Sequence, residues 1–250
     1  MKTVLITGAT SGFGKAIAEK FAANNHRLII TGRRADRLEA ISRELSKQVP
    51  VHALVFDVQN REAVFNAIKS LPPDFDAIDI LINNAGLALG RDYFEEAALE
   101  DWETMLDTNV KGMMYVTRAV LPGMIERRQG HIINMGSIAG KEVYERGNGY
   151  NASKFAVDAL SQSMRVDLLR HKIKVTAIHP GAADTGFSMV RFKGNEAAAK
   201  MVYEGYQPLT AQDVADVVYY TTTLPPHVCI NDLVLTCLAQ ANSFYLHKES

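Results

Sequence analysis

Tyr150 and Lys154 stand four residues apart in Tyr150-Asn151-Ala152-Ser153-Lys154, at the opening of a helical pattern. Residues four apart share one face of a helix, so a phenol and an ammonium can enter the same cleft. A tyrosine has an ordinary pKa near 10, and acid/base work near neutrality needs a shift of about 2–3 units, or about 3–4 kcal/mol. A neighbouring positive charge can supply such a shift. The Y-x-x-x-K pattern by itself also describes many accidental surface pairs, so its context decides. Ser137 closes Asn134-Met135-Gly136-Ser137 thirteen residues earlier. Asn109 interrupts an apolar helical stretch in Asp107-Thr108-Asn109-Val110 and, taken alone, could equally be a core amide with its bonds satisfied.

A second constellation opens the chain. The run Thr3–Ile6 leads into Thr7-Gly8-Ala9-Thr10-Ser11-Gly12-Phe13-Gly14, with a helical pattern directly after it. Glycines allow a tight turn and a close backbone approach, and a helix N-terminus attracts phosphate. A glycine-rich turn can be only a turn, but one between a first strand and a first helix is where dinucleotides bind. The second strand ends in Ile30-Thr31-Gly32-Arg33-Arg34. NAD sites usually carry a carboxylate here for the ribose 2′-hydroxyl. Gly32 stands in its place, and Arg33 and Arg34 offer charge and planar donors for a 2′-phosphate. Unless these arginines are merely solvated loop residues, the expected cofactor is NADP(H).

These residues need a scaffold. Short apolar, β-branched runs recur at Thr3–Ile6, Arg27–Thr31, Val51–Phe56, Ile78–Ile82, His131–Asn134, Lys174–Ile178 and Leu233–Cys237. Several are apolar at nearly every position, as in central strands covered on both faces. Helical patterns lie between them, near 13–24, 35–47, 61–70, 101–127, 150–170 and 211–222. The alternation predicts right-handed crossovers and an α/β fold: a Rossmann-type, doubly wound parallel sheet of about seven strands with helices on both faces. With 250 residues and no repeat or linker, the chain reads as one domain over 1–250. The stretch of about 181–210 is long and weakly periodic, which predicts a substrate loop at the carboxyl edge of the sheet.

Charge narrows the partners. With 27 basic and 28 acidic residues, a net charge of −1 gives no basic excess to favour nucleic acid or membrane. A small anionic ligand would need a local cationic pocket. The apolar run at the N-terminus is too short for a signal peptide or span, and no longer one follows. The two cysteines, Cys229 and Cys237, would stand about 26 Å apart along an extended strand, too far for a disulfide. Free thiols fit a reducing, cytoplasmic setting.

Two further pieces complete a resemblance. Asp57-Val58 closes the third strand, and Asn83-Asn84-Ala85-Gly86 closes the fourth. With T-G-x-x-x-G-x-G at Thr7–Gly14 and the set Asn109, Ser137, Tyr150 and Lys154, the chain resembles the short-chain dehydrogenase/reductase family over its whole length. The resemblance implies cofactor contacts at Gly8, Thr10, Ser11, Gly12, Phe13, Gly14, Arg33, Arg34, Asp57 and Val58. It extends them to Asn84, Ala85, Gly86, Tyr150, Lys154, Pro180, Gly181 and Thr185. It also implies roles: NADPH donates hydride to a carbonyl carbon, Ser137 bonds the carbonyl oxygen, and Tyr150 protonates the developing alkoxide. Lys154 binds the nicotinamide ribose and, with the positive ring of the oxidised cofactor, lowers the tyrosine pKa. Asn109 holds a water that links the lysine to solvent. A homotetramer is implied as well.

Within the family, Phe187–Gly194, Thr223–Val228, Ile230–Leu233 and Gln240 resemble the NADP-dependent serine/3-hydroxy acid dehydrogenase group. Arg146 departs from it, because that group usually has a small residue just ahead of the tyrosine. If Arg146 and Tyr93 face the substrate, with Ser137, Tyr150 and Gln240, they suit an anionic aldehyde. Three sulfonate oxygens point first to sulfoacetaldehyde, reduced reversibly to isethionate, as in the sulfoacetaldehyde reductases that resemble this group. The alternatives are a 3-hydroxy acid or serine dehydrogenase acting on malonic semialdehyde, a broad carbonyl reductase, and a cofactor-sensing regulator without chemistry. Arg146 could also pair with Glu142 or Glu145 at the surface. The apolar, aromatic-bearing stretch Leu238–His247, within a C-terminal tail over about 238–250, is expected to cover a neighbour's site.

Overall fold

The computed structural model describes residues 1–249. Among them, seven parallel strands form one sheet: β1 (Thr3–Ile6), β2 (Arg27–Gly32), β3 (Val51–Val55), β4 (Ile78–Asn83), β5 (Gly130–Met135), β6 (Ile173–Pro180) and, last in the chain, β9 (Asp232–Leu235). Their order across the sheet is β3-β2-β1-β4-β5-β6-β9, and every neighbouring pair is parallel. The strand order reverses between β1 and β4. At such a switch point the two flanking connections leave in opposite directions and open a crevice beyond the strand ends.

Helices cover both faces. On one side α1 (Gly12–Ala23), α2 (Ala35–Leu45) and α9 (Ala211–Thr223) bury Ile17, Phe21, Leu38 and Val218 against Val4, Ile6, Leu28 and Ile30. On the other, α3 (Arg61–Lys69) and α5 (Met113–Arg127) bury Val64, Val116, Val120 and Met124 against Leu5, Ile29, Leu81 and Ile132. Successive strand side chains point to opposite faces, so one strand feeds both cores. That explains why β1, β2 and β4 are apolar at almost every position. Local chemistry sets the helix starts. Asn60 caps α3 by accepting from Ala63 N, and Thr210 and Asp213 form a reciprocal cap at the start of α9.

Three expectations need correction. The helical run over 101–127 is three elements: α4 (Leu99–Leu106), a π-helical segment over Asp107–Gly112, and α5. The wider turn carries Asn109 and is absorbed without breaking the axis, so the apolar period passes through it unannounced. The final strand is shorter than Leu233–Cys237. Both cysteines lie outside it, and both are free thiols. The substrate loop is not featureless. It holds β7 (Ala183–Asp184), α7 (Phe187–Arg191), α8 (Glu196–Met201) and β8 (Leu209–Thr210), with β7 and β8 paired. The tail expected over 238–250 is described to Glu249, and Ser250 lies outside the described residues. No helix among the described residues is long and apolar enough to cross a membrane.

Candidate active site

A groove of about 330 Å3 crosses the carboxyl ends of β1 to β4. The first turn supplies Gly8, Thr10, Ser11, Gly12 and Phe13 to its wall. Gly14 lies behind them, where a Cβ would stand 2.3 Å from the Gly8 carbonyl oxygen. Only a glycine lets the helix start that close to the strand. At the end of β2 a Cβ on Gly32 would meet the Thr10 methyl at 2.6 Å, so the side chain of an acid has no room there. Arg34 instead donates from Nη2 to Thr10 Oγ1 (2.6 Å) and Ser11 Oγ (3.0 Å). Arg33 pairs with Asp57 at 3.2 Å. Two cations thus border the groove where a carboxylate is excluded. Asp57, Val58, Asn84, Ala85, Gly86 and Thr185 complete the expected lining. Thr7 Oγ1 accepts from the main-chain N–H groups of Asn84 and Ala85, tying β4's exit to β1's.

The groove ends at the tyrosine and lysine. Both sit in the first two turns of α6 (Asn148–Leu168), and both are more than nine-tenths buried. Lys154 Nζ donates to the Met135 carbonyl at 2.9 Å and lies 5.8 Å from the Tyr150 ring. Burial lowers its pKa to about 8. Burial also raises the Tyr150 pKa, aided by Tyr144 and opposed by the hydrogen bond to Ser137 and the charge of Arg191. The expected lowering of the tyrosine pKa by Lys154 together with the oxidised cofactor's charge does not emerge from the side chains alone, where burial outweighs the lowering influences. A phenol held neutral is a proton donor. Asn109 uses both ends of its amide on Leu87, accepting from N and donating to O at 2.8 Å each. It also donates to Ser153 Oγ at 3.0 Å. It stands across Gly86 from Lys154.

Beyond Tyr150 a second cavity, of about 400 Å3, opens under the loop that follows β6. Ser137, Tyr150 and Gln240 line it, as expected of substrate residues, whereas Pro180 and Gly181, expected at the cofactor, line this cavity and not the groove, and Thr185 lines both. Gln240 Oε1 accepts from Ala182 N at 2.8 Å, so this amide shapes the floor. Arg146 and Tyr93 do not join them. Arg146 takes a left-handed backbone conformation (φ 61°) in the turn before α6, and its guanidinium lies 4.1 Å over the Tyr93 ring, outside the cavity. Two cations line the cavity, Arg91 and Arg191, and the one beside Tyr150 is Arg191, the last residue of α7. Its Nη1 donates to Tyr144 Oη at 3.0 Å, and its Nε donates to the Gly90 carbonyl at 3.3 Å. Its carbon Cζ stands 5.5 Å from the Tyr150 ring. Its Nη2 is buried and has no hydrogen-bond partner among the described residues. In the sequence Arg191 is one basic residue in a glycine-bearing loop, and no spacing rule marks it. The tail closes the cavity of its own chain, through Ser243 and Phe244.

Residues 2–196 match the family model described as short chain dehydrogenase. The chain is 48% identical over 239 residues to NADP-dependent 3-hydroxy acid dehydrogenase YdfG of Salmonella typhi, covering 95% of this chain and 96% of that protein. It is 46% identical over 243 residues to sulfoacetaldehyde reductase 2 of Chromohalobacter salexigens, covering 97% and 96%. Among solved structures, the closed form of serine dehydrogenase complexed with NADP+ superposes with a TM-score of 0.93 at 46% identity, covering 99% of this chain and all of that one.

Proposed function

The chain belongs to the short-chain dehydrogenase family, and from that premise we propose that it is an NADP(H)-dependent oxidoreductase that reduces a short aldehyde carrying an anionic group. The observation that carries the substrate class is Arg191. A buried guanidinium nitrogen without a partner, in the cavity that also holds Ser137 and Tyr150, is an open site for an anion. The relatives named above give the cofactor, in accord with Arg33 and Arg34 at the groove and the space denied to an acid at Gly32.

When bound, NADPH supplies the hydride. Ser137 holds the carbonyl oxygen of the aldehyde, and Tyr150, kept neutral by burial, gives that oxygen its proton. Lys154, which reaches the groove beside Tyr150, would hold the ribose of the bound cofactor and return a proton to the phenol, with Asn109 ordering the path to solvent. Arg191 holds the anionic end. The sulfonate preference based on Arg146 loses its footing, because that side chain faces away from the cavity. A planar guanidinium matches a carboxylate's two oxygens, so malonic semialdehyde stands first and sulfoacetaldehyde second. The second reading has a named relative of its own. The free thiols accord with a reducing cytoplasm. Exposed apolar side chains on α4, α5 and α6, such as Leu106, Met114 and Phe155, support the proposal of a homotetramer, in which they would be covered.

The test follows NADPH consumption by the purified protein with malonic semialdehyde, sulfoacetaldehyde and a neutral aldehyde of similar size. Both anionic substrates should exceed the neutral one in kcat/KM. Tyr150→Phe should lose at least about a hundredfold in turnover while still binding NADPH. A neutral aldehyde reduced as well as the charged ones would remove Arg191 from recognition.

A further inference from the structure

His179, on β6, is fully buried and lies outside both cavities. Its Nδ1 stands 3.2 Å from the carbonyl oxygen of Ser137. The ring packs flat against Gly136, where a Cβ would come within 2.4 Å of Nδ1. The other ring nitrogen, Nε2, lies 3.0 Å from Asp232 Oδ1 on β9 and 3.7 Å from Asp158 Oδ1 on α6, close enough to feel their charge but with no hydrogen-bond partner among the described residues. From the turn after Ser137, the Lys141 ammonium reaches both carboxylates. One imidazole and two carboxylates within 4.8 Å have the composition of a metal site, but Lys141 already supplies the cation. What remains unexplained is the nitrogen that faces the active-site strand.

A carbonyl and a carboxylate only accept, so each ring nitrogen needs a proton to bond the oxygen beside it. Burial and Lys141 lower the His179 pKa, against the opposing pull of Asp232, the Ser137 carbonyl and Asp158. Near neutrality the ring therefore carries one proton, drawn to Nδ1 by the hydrogen bond with the Ser137 carbonyl and to Nε2 by the nearby carboxylate charge. When Nδ1 holds it, the peptide bearing Ser137 is pinned. When Nε2 holds it, that carbonyl loses its donor. Lower pH supplies both protons and restores the bond.

We propose that His179 is a positioning residue, whose Nδ1–H fixes the Ser137 carbonyl and so aims the Ser137 hydroxyl at Tyr150. The inference rests on the roles proposed above for Ser137 and Tyr150.

Two substitutions separate the ring nitrogens. His179→Asn keeps an amide near the position of Nδ1, whereas His179→Gln carries it out to the position of Nε2. The Gln variant should lose about tenfold in kcat, equivalent to about 1.4 kcal/mol in the barrier. Its NADPH affinity, read by fluorescence titration, should stay within about twofold, because His179 does not itself line the groove. The Asn variant should recover most of the lost kcat. Asp232→Asn gives a second measurement at a partly exposed residue. It removes a charge that raises the His179 pKa, so the inflection at which kcat falls as the ring loses its second proton should move to lower pH. Equal losses in the Asn and Gln variants, or an inflection unmoved by Asp232→Asn, would overturn the proposal. Tyr150→Phe, run in the same assay, separates the two levels. If it keeps normal turnover, the reading of the whole site fails. If it is inactive while the His179 variants are alike, only the role of His179 fails.

Discussion

Tyr150 and Lys154 resist their own charged forms for the same reason, burial, which raises the phenol's pKa and lowers the ammonium's to about 8. The two shifts act on stability in separate pH windows. Lys154 ordinarily titrates at 10.5; between about 8 and that value the unfolded chain keeps a proton that the folded chain has lost, so stability rises with pH. Tyr150 acts higher and in the opposite sense: its raised pKa costs stability only as pH passes the ordinary value of 10.0. From pH 8 to 10 the wild type should therefore gain roughly 2–3 kcal/mol relative to Lys154→Met, at 1.36 kcal/mol per unit, as read by urea unfolding. A constant difference would mean that Lys154 stays charged in the fold. The two arginines near the site separate in the same way, by surroundings. Truncating one member of a desolvated charge pair costs about 2–5 kcal/mol, so Arg191→Ala should raise the KM for malonic semialdehyde about 30-fold or more. A neutral aldehyde should change little. Arg146→Gly loses only an exposed stacking contact with Tyr93, and should leave both constants within about twofold.

At the scale of elements, the turn from β2 into α2 is the part proposed to read the cofactor's 2′-phosphate. Arg33→Ala with Arg34→Ala should weaken NADPH far more than NADH, because only the former carries that group, and isothermal titration with each cofactor compares them directly. Equal losses would show that Arg34 serves only to brace Thr10 and Ser11. This turn, like the strands and most helices, was legible in the sequence. A strand buried on both faces must be apolar throughout, and a phosphate-binding turn must carry glycines where backbone meets backbone. The π-helical turn around Asn109 was not legible, since one extra residue in a turn leaves no compositional mark. Nor were α7 and α8, whose five and six residues are too few for a helical period to emerge. Arg146 and Arg191 show the limit most plainly. Closeness in sequence to Tyr150 favoured Arg146, but a left-handed turn sends it outward. A loop that returns from β6 brings Arg191 in from forty-one residues downstream of the tyrosine. Sequence distance predicts reach within one helix, and it fails between a helix and a loop.

Across the whole molecule, the two cavities meet at Tyr150 and share the segment after β6, but only one of them is reached by the tail. The cofactor groove is walled mainly by β1 to β4 and their turns, with Tyr150, Lys154 and the stretch from Thr185 to Val190 completing it. The substrate cavity is roofed by the segment after β6 and then strapped by the tail. Ser243 N bonds Glu142 Oε2 at 2.7 Å, Phe244 enters the lining, and Glu249 N bonds the Gly205 carbonyl at 2.7 Å. Lys248 Nζ reaches the Met201 carbonyl at 3.4 Å, so the strap also holds the loop carrying Arg191. A chain ending at Ala241 keeps Gln240, and with it the bond to Ala182 N, but loses this closure. Phe244 is already 60% exposed, so its removal should forfeit only part of the roughly 1.5–3 kcal/mol of a fully buried aromatic side chain. About 1.4 kcal/mol, or tenfold in affinity, is the expected scale. The truncated protein should show a KM for the anionic aldehyde raised about tenfold, with its Kd for NADPH within about twofold. A parallel loss of NADPH binding would mean that the tail supports the sheet edge at β9 rather than the cavity. An unchanged KM would mean that the loop between β6 and α9 closes over the substrate by its own contacts, chiefly Tyr203 to the Ala183 carbonyl at 2.7 Å and Arg191 to Gly90.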